Sequence, residues 1–351
     1  MRNRKIALIG GAGFIGHNLA LALAKRGADV HVIDSLQVNN LLQFSSKMPD
    51  LEQRDLYLRI IHERLDLLHA ANIPLYVQDA RDYHALGRLL NHQIKPEVII
   101  QLAAVAHAGK SNKDPYSTFD HSLRTLENAL DCARDQDYVK QFIFFSSSMV
   151  YGNFRTEEVD EEHPLDPIGI YGALKLAGER LVIAYNQVFE LPYTIIRPSA
   201  LYGPRCVSRR VGQVFIESAL NGAKLKVDGD GNEKLDFTYI DDLIDGVCLT
   251  ITDPAAVNQT FNLTYGSSRS IQDLLAVVKR HFPQVEVERV QRDKLMPFRG
   301  TLSVAKARRL LGYDPQNPIE AGFGKYIEWY QTLTPSKKKK NPSRRPSAAA
   351  A

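Results

Sequence analysis

The chain has 351 residues, 44% of them apolar, with 44 lysines and arginines against 40 acidic residues and a formal net charge of +4. That length accommodates one large α/β domain or two smaller ones around a substantial core. No apolar run approaches the roughly 20 residues of a membrane span, and a strand pattern begins at once, leaving no room for a signal peptide, so a cytoplasmic protein is expected. Lys337 through Lys340, Arg344 and Arg345 meet no acidic residue, so the basic excess lies in a tail, 333–351, which reads as a disordered extension or an appended remnant. Without it the body is near neutral, which argues against a nucleic-acid or membrane partner. Cys132, Cys206 and Cys248 are scattered without metal-ligand spacing and read as buried thiols, with no metal expected.

Strand and helix patterns alternate from the amino end. Residues 5–10 read as the first strand, 14–26 as a helix stopped by Gly27, and 29–34 as the second strand. Residues 50–71 place Leu51, Leu56, Ile60, Leu65 and Leu68 among many charges. This predicts an inserted amphipathic helix packed on the sheet or on a partner subunit. Short apolar runs at 74–78, 98–102, 141–146 and 193–197 follow, each consistent with burial on both faces. The alternation predicts a doubly wound parallel sheet. Beyond 197 it loosens, and 227–233 and 265–270 read as loops. The expected division is a sheet domain over 1–200 with a returning segment near 236–264, and a smaller interleaved region made of 201–235 and 265–332.

Gly10, Gly13 and Gly16, in Gly10-Gly11-Ala12-Gly13-Phe14-Ile15-Gly16, join the first strand to the first helix as G-x-x-G-x-x-G. Such glycines permit a tight turn and let a dinucleotide diphosphate approach the N–H groups at the helix amino end. Asp34 ends the second strand, where a carboxylate can accept from the adenosine ribose hydroxyls and repel a 2′-phosphate, favouring NAD over NADP; starting a turn is the alternative for this residue. Tyr171 and Lys175 lie four apart on one predicted helical face, so an ammonium can sit beneath the phenol and favour its phenolate. Tyr171 then serves as a general base for a substrate hydroxyl. Ser147, four residues before Tyr151, can hold that hydroxyl and relay its proton. Ser146, Ser147 and Ser148 could also simply end a buried strand.

With Asp79-Ala80-Arg81-Asp82, Leu102-Ala103-Ala104, Arg197-Pro198 and Tyr202-Gly203-Pro204-Arg205, these motifs resemble the extended short-chain dehydrogenase/reductase family, and within it the NAD-dependent nucleotide-sugar epimerases and dehydratases, over about 5–330. The resemblance implies a Rossmann fold, NAD as cofactor, a nucleotide-diphosphate sugar as substrate, and a homodimer built on helices 115–134 and 170–189. It implies that Ser147, Tyr171 and Lys175 are catalytic. Asp79 and Ala80 would hold the adenine, while Phe14, Ile15, Leu102, Ala103, Ala104 and Pro198 would line the cofactor and Lys175 would also bond the nicotinamide ribose.

Oxidation at the sugar C4 is the implied first step. Ser148 and Met149 stand where the family's dehydratases carry an Asp-Glu pair, and a thioether is neither acid nor base, so loss of water is disfavoured. Epimerisation at C4 is the leading expectation; a 4-dehydrogenase or ketoreductase, or a silent NAD-sensing scaffold, are the alternatives. Arg205, Arg209 and Arg210 form a basic cluster suited to a diphosphate, since guanidinium groups bind phosphate oxygens bidentately, with solvated surface charge the alternative for Arg209 and Arg210; Arg299 is the preferred second phosphate contact and Ser148 a further substrate candidate. Ala200, His121 and Leu235 replace residues frequent in UDP-sugar epimerases. His107, Lys110 and Ser111 could face the sugar or serve only the loop, and 265–270 could close over the nucleotide.

Overall fold

Strand β1 (Lys5–Ile9) opens a sheet completed by β2 (Asp29–Asp34), β3 (Leu75–Val77), β4 (Val98–Gln101), β5 (Gln141–Phe145), β6 (Tyr193–Arg197) and β7 (Gln259–Asn262). The computed structural model describes residues 1–45, 53–106 and 108–333. The strand order is β7-β6-β5-β4-β1-β2-β3, with every neighbouring pair parallel. Alternate residues serve opposite faces: Ile6 and Leu8 enter one core, Ala7 and Ile9 the other. Every residue of β4 and β5 is buried, as expected for strands covered on both sides. The chain runs outward from β1 through β2 to β3 and then crosses back to β4, so the carboxyl ends of β1 and β4 form a switch point at which a crevice opens.

Among the flanking helices are α1 (Phe14–Lys25), α2 (Arg54–Ala70), α3 (Thr125–Ala133), α4 (Gly169–Phe189), α5 (Val211–Leu220), α6 (Ile240–Thr252) and α7 (Ile319–Leu333). Helix α2 is the expected insertion, and its proposed residues 50–52, with Leu51, lie outside the described residues. Its buried stripe is Tyr57, Ile60, Ile61, Arg64 and Leu68, not the leucine set alone. It packs with Phe44 and Val207 against Trp329 and Leu333 of this same chain's carboxy-terminal helix. The Tyr57 hydroxyl donates to Glu217 on α5 at 2.8 Å. The insertion therefore bridges the sheet to the carboxy-terminal region.

That region contains short strands where loops were expected. Leu225–Asp228 pairs with Val287–Val290, and Lys234–Leu235 with Arg269–Ser270. Two to four residues are too few to display a period, which is why the pattern read as loop. Buried Asp236 ties the region together, accepting from Thr264 Oγ1 (3.1 Å), Gly266 N (3.2 Å) and Leu302 N (3.1 Å). Cys132, Cys206 and Cys248 are buried free thiols. The tail beyond 333, with its lysines and arginines, lies outside the described residues.

Candidate active site

The crevice above β1 and β4 is lined by Gly10, Gly13, Phe14, Ile15, Gly16, Asp34, Asp79, Ala80, Leu102, Ala103 and Ala104, eleven of the residues expected to hold the cofactor. Each glycine has its own reason. Gly10 sits at φ +81°, and a Cβ there would lie 2.6 Å from Ala103 N; one at Gly16 would lie 2.5 Å from the Gly11 backbone. A Cβ at Gly13 would have only Gly10 O nearby, at 3.2 Å, so hydrogen here keeps the crevice floor open. Gly13 also begins α1 with no side-chain cap, which leaves amino-terminal N–H groups for an anion. The turn fits a dinucleotide diphosphate.

Asp34 is already engaged: its carboxylate accepts from Ala12 N (3.0 Å) and Leu36 N (2.7 Å). Burial raises its pKa, and these two N–H donors and Arg64 pull it back. The turn-shaping role and a ribose contact are thus compatible, since each carboxylate oxygen accepts more than once. Asp79 is held by Arg81 at 2.6 Å, and Arg81 also reaches Asp120 at 2.7 Å. Burial pushes the Asp79 carboxyl up, but the Arg81 hydrogen bonds outweigh it and the net shift is downward. Asn128 of α3 donates to the carbonyls of Ala80 (2.9 Å) and Arg81 (3.0 Å), fixing the loop.

Ser147 caps a short turn, Ser148–Tyr151, at the end of β5, its hydroxyl accepting from Met149 N at 3.2 Å. Helix α4 approaches that turn closely because Gly172 has no side chain: a Cβ there would lie 2.8 Å from Met149 O. This approach sets the Tyr171 phenol near enough to Ser147 for that hydroxyl to favour its ionised form. Burial raises the Tyr171 pKa; Arg210 and the Ser147 bond oppose it. Lys175 Nζ donates to the Phe145 carbonyl at 2.6 Å and lies 5.0 Å from the Phe144 ring centroid, while the Arg210 charge also acts on Tyr171. A buried ammonium takes the nearest acceptor, and β5 supplies one. Burial lowers the Lys175 pKa to about 8, with Glu179 one turn on opposing the shift.

Behind these groups lies a buried pair missed in the sequence. Arg197 donates to both oxygens of Glu179, at 2.9 and 2.7 Å, and Ser146 Oγ donates to the same carboxylate at 2.5 Å. Arg197 Nη1 reaches the Tyr151 hydroxyl (2.9 Å), which donates to Asn262 (2.8 Å). The signal was present as Glu179, four residues past Lys175 on the same helical face.

The substrate candidates separate. Arg205 is turned away and does not line the crevice: its guanidinium is taken by His17 Nε2 (3.0 Å), Asn18 (3.1 Å) and Glu63 (3.3 Å). Because an arginine always donates, His17 Nε2 must accept and Nδ1 carries the proton toward Gly13 O at 2.9 Å. Burial, then Arg64, hold this imidazole neutral. Arg209 is exposed, its backbone N bonded to Gln213. Ser148 is buried, donating to Ser199 at 3.2 Å, while its N–H meets the carbonyl of buried Pro198 at 3.0 Å. Neither Ser148 nor Pro198 lines the crevice.

Arg210 and Arg299 come together. Arg210 lines the crevice, acts on Tyr171, and reaches Ala106 O at 3.4 Å. Arg299 keeps a buried Nε without a partner among the described residues, and burial followed by the charges of Arg210 and Arg292 brings its pKa down to about 10. It borders a second cavity with Phe154, Asn232, Lys234 and Phe298. Arg269, paired across from Leu235, is committed to Glu320 at 3.0 Å. Lys110 donates to Asn39 at 2.9 Å across the crevice mouth, Ser111 is buried on its helix, and His107 lies outside the described residues. His121 and Ala200 keep their positions, His121 on the crevice wall and Ala200 at φ +36°. Among the described residues no cluster of three or more metal-ligating side chains occurs, and no helix is long and apolar enough to cross a membrane.

Known proteins resemble this chain over almost its whole length. An uncharacterized UDP-glucose epimerase of Bacillus subtilis is 28% identical over 334 residues, covering 94% of this chain and 98% of that protein. The crystal structure of UDP-glucuronic acid 4-epimerase from Bacillus cereus, with UDP-glucuronic acid and NAD, superposes with a TM-score of 0.83 at 24% identity, covering 94% of this chain and 100% of that one. A dTDP-glucose 4,6-dehydratase from Streptomyces venezuelae superposes nearly as well, with a TM-score of 0.81 at 24% identity over 93% of this chain and 97% of that one. The fold is common to both chemistries and does not separate them. The model of the NAD dependent epimerase/dehydratase family matches residues 6–264. This chain is therefore a member of the NAD dependent epimerase/dehydratase family.

Proposed function

We propose that the protein is an NAD-dependent nucleotide-sugar 4-epimerase working through a transient 4-keto sugar. The observation carrying this reading is that the crevice built on the diphosphate-fitting glycine turn also carries Arg210, whose charge acts on both the Tyr171 phenol and Arg299. Bound NAD supplies the acceptor for the C4 hydride and its return. Ser147 holds the sugar 4-hydroxyl, and Tyr171 takes its proton, its phenolate favoured by Arg210. Lys175, anchored on Phe145, orients the nicotinamide ribose. Asp34 receives the adenosine ribose. Arg210 and Arg299 clamp the substrate diphosphate, which matches two crowded cations to two negative phosphates.

Met149, 8% exposed in the Ser148–Tyr151 turn, favours epimerisation over dehydration, because no carboxyl group stands at that position to remove a proton and expel water. The proposal includes a cytoplasmic homodimer, since Tyr116 (83% exposed), Phe119 (44%) and Val188 (70%) leave apolar surface on the expected pairing helices. Incubation with UDP-, GDP-, CDP- and dTDP-sugars, with and without added NAD, tests it by NMR and mass spectrometry. An isomer of unchanged mass without net NADH supports epimerisation. Loss of two hydrogens with stoichiometric NADH would make it a dehydrogenase, and loss of water would refute the reading of Met149.

A further inference from the structure

Arginine is the least expected residue on an apolar helical stripe, yet Arg64 occupies the middle of the buried face of α2, between Ile60 and Leu68, at 1% exposure. Its Nε and Nη2 both donate to one acceptor, the Arg205 carbonyl, at 2.9 and 2.5 Å. Its Nη1 is buried with no partner among the described residues. The neighbouring Glu63 does not neutralise it, being paired with Arg205 at 3.3 Å. Asp34 acts on it only through its field, and the Asp34 oxygens are held by Ala12 and Leu36. A buried guanidinium without a bonded anion is strongly unfavourable, and an apolar side chain of similar volume would serve the stripe better. The same Arg64 lines the cofactor crevice beside Gly13, Phe14, Ile15 and Ser208.

We propose that Arg64 is a further cofactor-binding residue, donating from Nη1 to the diphosphate of the dinucleotide seated on the glycine turn. This rests on the crevice being the NAD site. The inserted helix is then a third wall of the cradle, supplied by neither the glycine turn nor the carboxyl end of β4. Because Tyr57 of α2 is tied to Glu217, and Glu217 accepts also from Gln213 of α5 and Tyr330 of α7, the wall is braced by the carboxy-terminal region. A braced cationic wall retains cofactor between turnovers, as an epimerase requires.

Calorimetric titration of wild type, Arg64→Met and Arg64→Lys with adenosine, ADP, 2′-AMP and NAD tests this, alongside melting temperatures of the ligand-free proteins. Loss of a charge-assisted hydrogen bond weakens ADP and NAD by about ten- to a hundredfold in Arg64→Met, leaving adenosine unchanged. The ligand-free variant melts close to wild type, because removal of a buried charge offsets the loss of the two donors to the Arg205 carbonyl. Arg64→Lys keeps the charge, gives an intermediate loss, and carries the same test if Arg64→Met does not fold. Equal losses for adenosine and ADP, or a loss confined to 2′-AMP, would overturn the diphosphate assignment. Unchanged ADP affinity with a lower melting temperature would make Arg64 a structural plug. A wild type that binds neither ADP nor NAD would instead sink the cofactor reading itself.

Discussion

Glu179→Gln removes one negative charge and almost no volume, and the structure gives it two separable consequences. Arg197 and Glu179, at 5% and 2% side-chain exposure, form a bidentate pair with contacts of 2.9 and 2.7 Å. Neutralising the carboxylate leaves the Arg197 charge buried and uncompensated, a loss of about 3–5 kcal/mol. Glu179 also opposes the burial that lowers Lys175 to a pKa of about 8. Unit charges roughly 6 Å apart interact by roughly 3 kcal/mol at an effective dielectric near 20, an upper bound for this pair because Arg197 already neutralises the Glu179 carboxylate. Since the carboxylate raises the Lys175 pKa, its removal lowers it further, and the alkaline limb of the kcat/KM profile moves toward acid. Denaturant unfolding and pH-rate profiles on the identified substrate measure the two effects independently. A destabilised variant with an unmoved alkaline limb would refute the coupling to Lys175 and leave Glu179 a purely structural anchor.

Lys175→Met addresses the same group through stability. Its folded pKa of about 8 lies below the ordinary 10.5, so the folded protein sheds this proton first and the group's contribution rises by about 3 kcal/mol between pH 8 and 10.5; the methionine variant should lack that rise in denaturant midpoints. Tyr171→Phe removes only the ionisable oxygen, so turnover should fall about 10²- to 10⁴-fold with NAD affinity preserved, and an active variant would exclude the base role. Arg299→Ala should raise KM for the nucleotide sugar about tenfold or more while leaving NAD affinity unchanged, as read by initial rates and calorimetry; an unchanged KM would remove Arg299 from the diphosphate clamp.

Local information determined a great deal. The glycine turn, the carboxylate ending β2 and the apolar runs of the first six sheet strands are properties of a few consecutive residues, with a spacing that physical chemistry constrains tightly. Ser147, Tyr171 and Lys175 were legible as residue types at diagnostic separations, although spacing did not say that Lys175 would bond the Phe145 carbonyl or that Arg210 would act on the phenol. The seventh strand, Gln259–Asn262, came only as a returning segment, because four residues display too little pattern.

Tertiary structure decided how the arginines divide. Arg205, Arg209, Arg210 and Arg299 were all diphosphate candidates by residue type, with a solvated surface role open for Arg209 and Arg210; folding sends Arg205 to His17 and Glu63, leaves Arg209 exposed, and crowds Arg210 with Arg299. Arg64 passed unnoticed on a helix read for its leucines, since its significance comes from Arg205, 141 positions away, and from the crevice it faces. A side chain's type and period are written in the sequence, whereas the partner that consumes its charge is set by contacts between segments distant along the chain, and only the fold brings those together.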